Sequence, residues 1–168
     1  MSVYRRNYVA GGTYFFTVNL QDRKQTLLVD YVEQLRNAVA KVKRQRPFII
    51  DAWVVLPDHM HAVWTLPEGD SDYSGRWREI KKEFNRNIPA GELLSIARQR
   101  QGERGIWQRR FWEHTIKSET DYRHHIDYVH INPLKHGLVT QVKDWPYSSF
   151  HRHHQNGLYP QHWPNQEP

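Results

Sequence analysis

The amino-acid sequence predicts an α+β fold: a ferredoxin-like split βαβ sandwich with a central antiparallel sheet and one further helix after it. Three observations carry that prediction. Apolar spacing switches between the two-residue and 3.6-residue periods in the order strand, helix, strand, strand, helix, strand, helix. The two middle strands are separated by a hairpin signal. The 168 residues hold no internal repeat and no linker, a length that supports one core rather than two. A single domain over 1–168 is expected, with a flexible polar tail from about residue 151.

The elements follow in order. "GGTYFFTVNL" (Gly11 to Leu20) leaves a Gly-Gly turn and is rich in aromatic and β-branched residues, which suits a strand. Leu28, Val32, Leu35, Val39 and Val42 recur at three- and four-residue steps, an amphipathic helix that stops near Pro47. "FIIDAWVVLP" and "HMHAVWTLP" are strands divided by Pro57 and Asp58. "SDYSGRWREIKKEFNRNIP" is a second helix with a basic side, and Ala90 to Gly105 is a polar, glycine-punctuated connection. "IWQRRFWEHTIKS" has the pattern of a further strand. A last helix opens at Ser118, Glu119 and Asp121 and ends near Gly137.

Composition narrows the chemistry. The absence of cysteine excludes disulfides and thiolate-held zinc or iron–sulfur centres. No apolar run approaches the roughly 20 residues of a membrane span, and "MSVYRRNYVAGG" lacks the apolar core of a signal peptide, so a cytoplasmic protein without a membrane partner is expected. Lys and Arg number 24 against 18 Asp and Glu, a net charge of +6 that favours a polyanionic partner, nucleic acid first, over a merely basic surface. The patterns of zinc peptidases, zinc deaminases, P-loop nucleotide hydrolases and serine hydrolases are missing.

Two segments carry the functional signal. On a strand, residues i and i+2 share a face about 6.6 Å apart, so His59 and His61 of "LPDHMHAVWTLP" point one way and Met60 and Ala62 the other. Such a pair can converge on a metal ion or a phosphate, or sit hydrogen-bonded in the core. Eleven histidines make one H-x-H coincidence unsurprising, and "HRHH" (His151 to His154) is a second; it has no apolar flanks and is assigned to the polar tail. In "HHIDYVHINP", Tyr128 and Asn132 lie one helical turn apart, and His124 extends their stripe. Pro133 is expected to end or kink this helix, whose negative end would favour a cation beside Asn132. The alternatives are a core tyrosine and a turn asparagine.

Together, "YRRNYVAGGTYFFTVNL", "AWVVLPDHMHAVWTLP", "RFWEHTI" and "YRHHIDYVHINPLKHGLV" resemble the REP-associated tyrosine transposases, single-tyrosine HUH-type enzymes related to small insertion-sequence transposases, from about Tyr4 to Tyr159. The resemblance implies an HUH endonuclease-type sheet with a catalytic-tyrosine helix. It implies that Tyr128 is the nucleophile and that His59, His61 and Asn132 hold Mg²⁺ or Mn²⁺. It also implies cleavage and rejoining of single-stranded DNA at repetitive extragenic palindromic hairpins through a 5′-phosphotyrosine, by a monomer associated with the nucleoid through its DNA. Imidazoles alone would favour zinc, copper or nickel.

A DNA track would draw on Arg5 and Arg6 in an N-terminal arm, on Arg109 and Arg110 between Trp107 and Trp112, and on Lys135 near the face of Tyr128. The competing readings are a protein that binds palindromic hairpins without cutting them, and an RNA-binding or RNA-cleaving domain of ferredoxin-like shape. Tyr122, Tyr147 and Tyr159 are weaker nucleophile candidates, lying off the Tyr128 face or near the tail.

Overall fold

The computed structural model describes residues 5–89 and 104–164. Four strands are described: β1 (Thr13–Asn19), β2 (Ile49–Val55), β3 (His59–Thr65) and β4 (Trp112–Thr115). They form an antiparallel sheet in the order β2-β3-β1-β4, which puts the two-histidine strand β3 in the middle. Helices α1 (Leu27–Asp30), α2 (Val32–Gln45) and α3 (Tyr73–Arg86) lie between strands, and α4 (Glu119–Lys135) follows the sheet. A 3₁₀ turn (Val142–Asp144) and a short helix α5 (Phe150–Gln155) complete the described chain. The element order and sheet are those the apolar spacing predicts.

Alternation along the strands builds two different faces. Tyr14, Phe16, Val18, Met60, Ala62 and Trp64 pack with Leu35, Ala38 and Val42 of α2 and Trp77, Ile80 and Phe84 of α3. Trp64 and Trp77 stack there, with centroids 4.2 Å apart. The opposite face presents Phe15, Ala52, Val54 and Val63 to Ile126 and Val129 of α4. Helix α4 thus lies on the face to which alternation sends His59 and His61. It begins cleanly because the Ser118 side chain accepts from the Asp121 N–H, 3.0 Å away.

Four expectations need correction. The first predicted helix is broken: Tyr31 (φ −117°, ψ 37°) separates α1 from α2. The last strand is only four residues long: Trp107 forms an isolated bridge with Leu20, and residues 108–111 between it and β4 are not in a strand. Pro133 neither ends α4 nor stops its hydrogen bonding, since His136 N–H still donates to the Asn132 carbonyl (3.0 Å). The stop comes at Gly137, whose φ of +70° suits a residue without Cβ.

The fourth concerns the tail expected from about residue 151. Residues 150–155 are helical, and Tyr159 is buried against Val142 and Phe150. The Tyr159 hydroxyl donates to Asp127 Oδ1 (2.6 Å) and meets His130 Nδ1 (3.0 Å), while His130 Nε2 meets Ser149 Oγ (2.7 Å). Burial, reinforced by the charges of His153 and Arg152, pushes the His130 pKa down to about 3. A neutral imidazole therefore ties this segment to α4. Of the connection expected at Ala90 to Gly105, residues 90–103 lie outside the described residues.

Candidate active site

The position of His59 follows from the hairpin. Leu56 N–H donates to the His59 carbonyl (2.9 Å), so β3 starts at the imidazole itself. Asp58 accepts from His59 Nδ1 at 2.8 Å, and Arg23 Nε donates to the other Asp58 oxygen at 2.5 Å. A proton on Nδ1 facing the carboxylate leaves the Nε2 lone pair bare. Burial holds the His59 pKa below its ordinary value, against the opposing pull of Asp58.

His61, two residues on, pairs across the sheet with Thr17. The Thr17 hydroxyl lies 2.8 Å from His61 Nδ1, an arrangement that likewise turns Nε2 toward α4. Burial pushes its pKa down to about 3, helped by the nearby charges of His59, His136 and Lys135 and opposed by the neighbouring Asn132 carboxamide. The two imidazole centroids are 5.0 Å apart and nearly perpendicular.

Helix α4 supplies the remaining parts. Asn132 is fully buried, and its Nδ2 donates to the Tyr128 carbonyl one turn earlier, which fixes the carboxamide so that Oδ1 is left over. Among the described residues, the buried side-chain polar atoms without a partner are His61 Nε2, Asn132 Oδ1, three indole nitrogens and one Arg6 nitrogen. The indole and guanidinium atoms can only donate; Asn132 Oδ1 can only accept, and His61 Nε2 accepts in the tautomer protonated at Nδ1. A buried unpaired acceptor costs about 1–3 kcal/mol, and this pair belongs to neighbouring side chains. Their donor chemistry fits a cation.

Tyr128 stands over the pair. Its half-buried ring lies edge-on to His61 (centroids 5.3 Å) and to Phe15 (5.6 Å). Lys135 Nζ is 4.8 Å from the ring centroid. An open groove of roughly 400 Å³ runs beside it, lined by Phe15, Thr17, Trp112, His124, His125 and Tyr128. The other tyrosines considered from sequence do not share this setting. Tyr122 donates to Asp51 Oδ1 (2.9 Å) and Tyr159 to Asp127, and burial pushes both pKa values up.

The fold therefore brings together His59, His61, Asn132, Tyr128 and Lys135, with Trp112 in the groove wall. The basic residues expected along a DNA track divide. Arg5, Arg109 and Arg110 are exposed. Arg6 is turned inward: it donates to the Phe111 carbonyl (3.2 Å), lies over the Phe111 ring (3.8 Å) and faces Glu113 (3.6 Å). The arm residue expected to contact DNA is thus engaged in holding the N-terminal segment to the sheet. Sequence reasoning missed His136, whose ring is 5.1 Å from that of His59. The i+4 step from Asn132 was its signal. Thr17, Asp58 and Arg23 were missed as well: pairing across strands identifies Thr17, and the loop that brings Arg23 onto Asp58 identifies the other two.

Paired histidines on a central strand, faced by a tyrosine on the helix that follows the sheet, define an HUH-type transposase fold. No family model matches the chain. It is 57% identical over 163 residues to the REP-associated tyrosine transposase of Escherichia coli, an alignment covering 97% of this chain and 91% of that protein. A Haemophilus influenzae relative is 46% identical over 164 residues, covering 97% of this chain and 93% of its own length. A solved structure of a REP-associated tyrosine transposase bound to a REP hairpin superposes with a TM-score of 0.84 at 56% identity, covering 99% of this chain and 93% of the other. The chain belongs to the REP-associated tyrosine transposases, enzymes that act on DNA.

Proposed function

We propose that this protein cleaves and rejoins single-stranded DNA at repetitive extragenic palindromic hairpins, with Tyr128 as nucleophile and His59, His61 and Asn132 as the residues that hold Mg²⁺ or Mn²⁺. The observation that carries the reading is the pair of buried, unpartnered acceptors, His61 Nε2 and Asn132 Oδ1, beneath the Tyr128 ring. The relative whose solved structure holds a REP hairpin supports the substrate class.

The chemistry divides among the side chains. His59, His61 and Asn132, all neutral, would hold a divalent ion whose undiminished charge would stabilise negative charge on the phosphate oxygens. Asp58 and Thr17 fix the imidazole orientations from behind. The Tyr128 oxygen attacks phosphorus and gives up its proton to solvent, the bond from phosphorus to the 3′-oxygen breaks, and that oxygen takes a proton from solvent to leave as a 3′-hydroxyl. The 5′-phosphotyrosine retains the bond energy, so another 3′-hydroxyl reverses the step and joins strands without nucleotide hydrolysis. Lys135, on the Tyr128 ring, is positioned for a backbone phosphate, and Trp112, 55% exposed, offers a flat surface for a base. Arg5, Arg109 and Arg110 extend the basic track on the outside. Because one chain supplies the tyrosine and all three proposed ligands, the arrangement favours action as a monomer.

The test is incubation of single-stranded hairpin DNA with the protein and Mn²⁺, read on a denaturing gel for a protein–DNA adduct. Wild-type protein is expected to give the adduct and a shortened strand. Tyr128→Phe is expected to give neither while retaining hairpin binding in a mobility-shift assay. Cleavage by Tyr128→Phe at the wild-type rate would remove the assignment, and hairpin binding without cleavage by wild-type protein would favour a binding protein instead.

A further inference from the structure

A second set of ligand-bearing side chains converges outside the site beneath Tyr128. His114 on β4 faces Asp121 and His125, which lie four residues apart on α4. One potential ligand atom from each falls within 4.8 Å of the others, and among the described residues no other group of three His, Asp or Glu does so. His114 Nε2 is 2.9 Å from Asp121 Oδ2, and His125 Nδ1 is 3.1 Å from Asp121 Oδ1. The two imidazoles are almost parallel, with centroids 4.6 Å apart.

These spacings suit a small ion. Donors bound tetrahedrally at about 2.0–2.1 Å stand roughly 3.3 Å from one another, a spacing inside the 4.8 Å within which these three ligand atoms already lie. All three side chains are partly exposed, at 35%, 23% and 24% for His114, Asp121 and His125, which leaves an entry path and a free coordination position. The carboxylate is held from behind: the Lys117 N–H donates to Asp121 Oδ2 (3.0 Å), and the Ser118 cap fixes the Asp121 backbone. His125 Nδ1 also meets the Asp121 carbonyl at 2.8 Å, a hydrogen bond that an ion would have to displace. Burial disfavours the Asp121 carboxylate, but the hydrogen bonds from His114 and Lys117 outweigh it and keep the pKa below the ordinary value.

We propose that His114, Asp121 and His125 form a second metal site, separate from the His59, His61 and Asn132 set, that takes a zinc-like transition ion and clips β4 to the first turns of α4. Two imidazoles and one carboxylate with an open position suit Zn²⁺, Co²⁺ or Ni²⁺ and not Mg²⁺, which prefers an oxygen shell. The clip has a path to the chemistry. The His125 ring packs on Phe15 at 4.9 Å, and Phe15 in turn touches both His61 and Tyr128 at 5.6 Å. An ion there would restrain the end of α4 from which Tyr128 is carried.

The test is titration of the untagged, metal-free full chain with Zn²⁺ by calorimetry, with Co²⁺ absorption as a second probe. Asp121→Asn removes no imidazole, so incidental binding to surface histidines is untouched by it. This variant is expected to lose one equivalent of Zn²⁺, or to bind it at least tenfold more weakly, with His125→Ala behaving alike. His59→Ala/His61→Ala is expected to keep that equivalent and to gain thermal stability when Zn²⁺ is added. Should the double variant fail to fold, the comparison of wild type with Asp121→Asn decides by itself. Identical zinc stoichiometry and affinity in those two proteins would overturn the proposal.

Discussion

The chain contains two H-x-H runs, and the fold treats them oppositely. His59 and His61 sit on a strand, where alternate residues share a face, and their rings come within 5.0 Å. His151, His153 and His154 sit in or beside a helical turn, where neighbours two apart diverge by about 200°. Each of these three is spent on a backbone carbonyl: His151 Nε2 on Trp145 (2.7 Å), His153 Nε2 on Asp51 (2.9 Å) and His154 Nδ1 on Tyr159 (2.7 Å). On β3 the imidazoles are oriented through Nδ1, and His61 Nε2 is left buried with no partner. The same tripeptide pattern thus yields a latch in one place and a candidate ligand set in the other. The difference lies in the backbone period and in which ring nitrogen is already satisfied.

The sharpest way to break this comparison is to delete one imidazole from each run. His61→Ala is expected to cut metal-dependent strand cleavage by roughly a thousandfold or more, because several kcal/mol of charge stabilisation go with the ion. His153→Ala is expected to leave the cleavage rate within about twofold and to lower stability by about 1 kcal/mol, or roughly 2–4 °C in Tm. Rates from the denaturing gel and a thermal melt of both variants decide the matter. A large loss of cleavage in His153→Ala at a temperature where it stays folded would erase the distinction.

Orientation through Nδ1 makes the next prediction. Asp58→Asn is expected to weaken Mn²⁺ binding by about 10–100-fold, the usual cost of losing a carboxylate behind a ligating histidine. The Tm without metal should change little, since the Arg23–Asp58 pair is partly exposed and surface pairs contribute about 0–1 kcal/mol. Calorimetry with Mn²⁺ measures the first effect and a melt the second. Unchanged affinity would mean that Asp58 does not set the tautomer.

The latch itself is tested through Tyr159 and His130. Tyr159→Phe removes the hydroxyl shared by Asp127 and His130, and a denaturant midpoint should report a loss of about 1–3 kcal/mol. The pH dependence is smaller near neutrality and grows in acid. Because the His130 pKa falls to about 3 on folding, from 6.5 when unfolded, the unfolded chain binds the extra proton between those values. Its contribution to stability is complete above pH 6.5 and is lost as the pH falls toward 3, at up to about 1.4 kcal/mol per pH unit. His130→Gln should therefore show a shallower acid limb than wild type in midpoints measured from pH 7 to 4. Parallel limbs would place the proton elsewhere.

Much of this molecule was legible from local pattern, and the exceptions have physical causes. Alternation through "HMHAVWT" and the four-residue step from Tyr128 to Asn132 locate the candidate site, because both periods are properties of a single element. The packing of Arg6 was not legible because a basic arm beside aromatic residues looks alike whether or not it folds back on Phe111 and Glu113. The tail was misread because "HRHH" is polar in composition, yet its imidazole nitrogens find carbonyls supplied by β2 and by its own loops. Pro133 does not end α4, which runs two residues further to Lys135 and stops near Gly137 as its sequence predicts.

What the sequence by itself determined, then, is the order and type of the elements, the pairing of His59 with His61 on one face, and the shared face of Tyr128 and Asn132. Only the tertiary structure decided that α4 lies on that same side of the sheet, that Thr17 and Asp58 occupy the Nδ1 atoms, and that His114 on β4 meets Asp121 and His125. These outcomes depend on which groups lose water and which partners arrive from distant parts of the chain. Local spacing encodes the direction of a side chain, while burial and pairing are settled only when separate elements pack together.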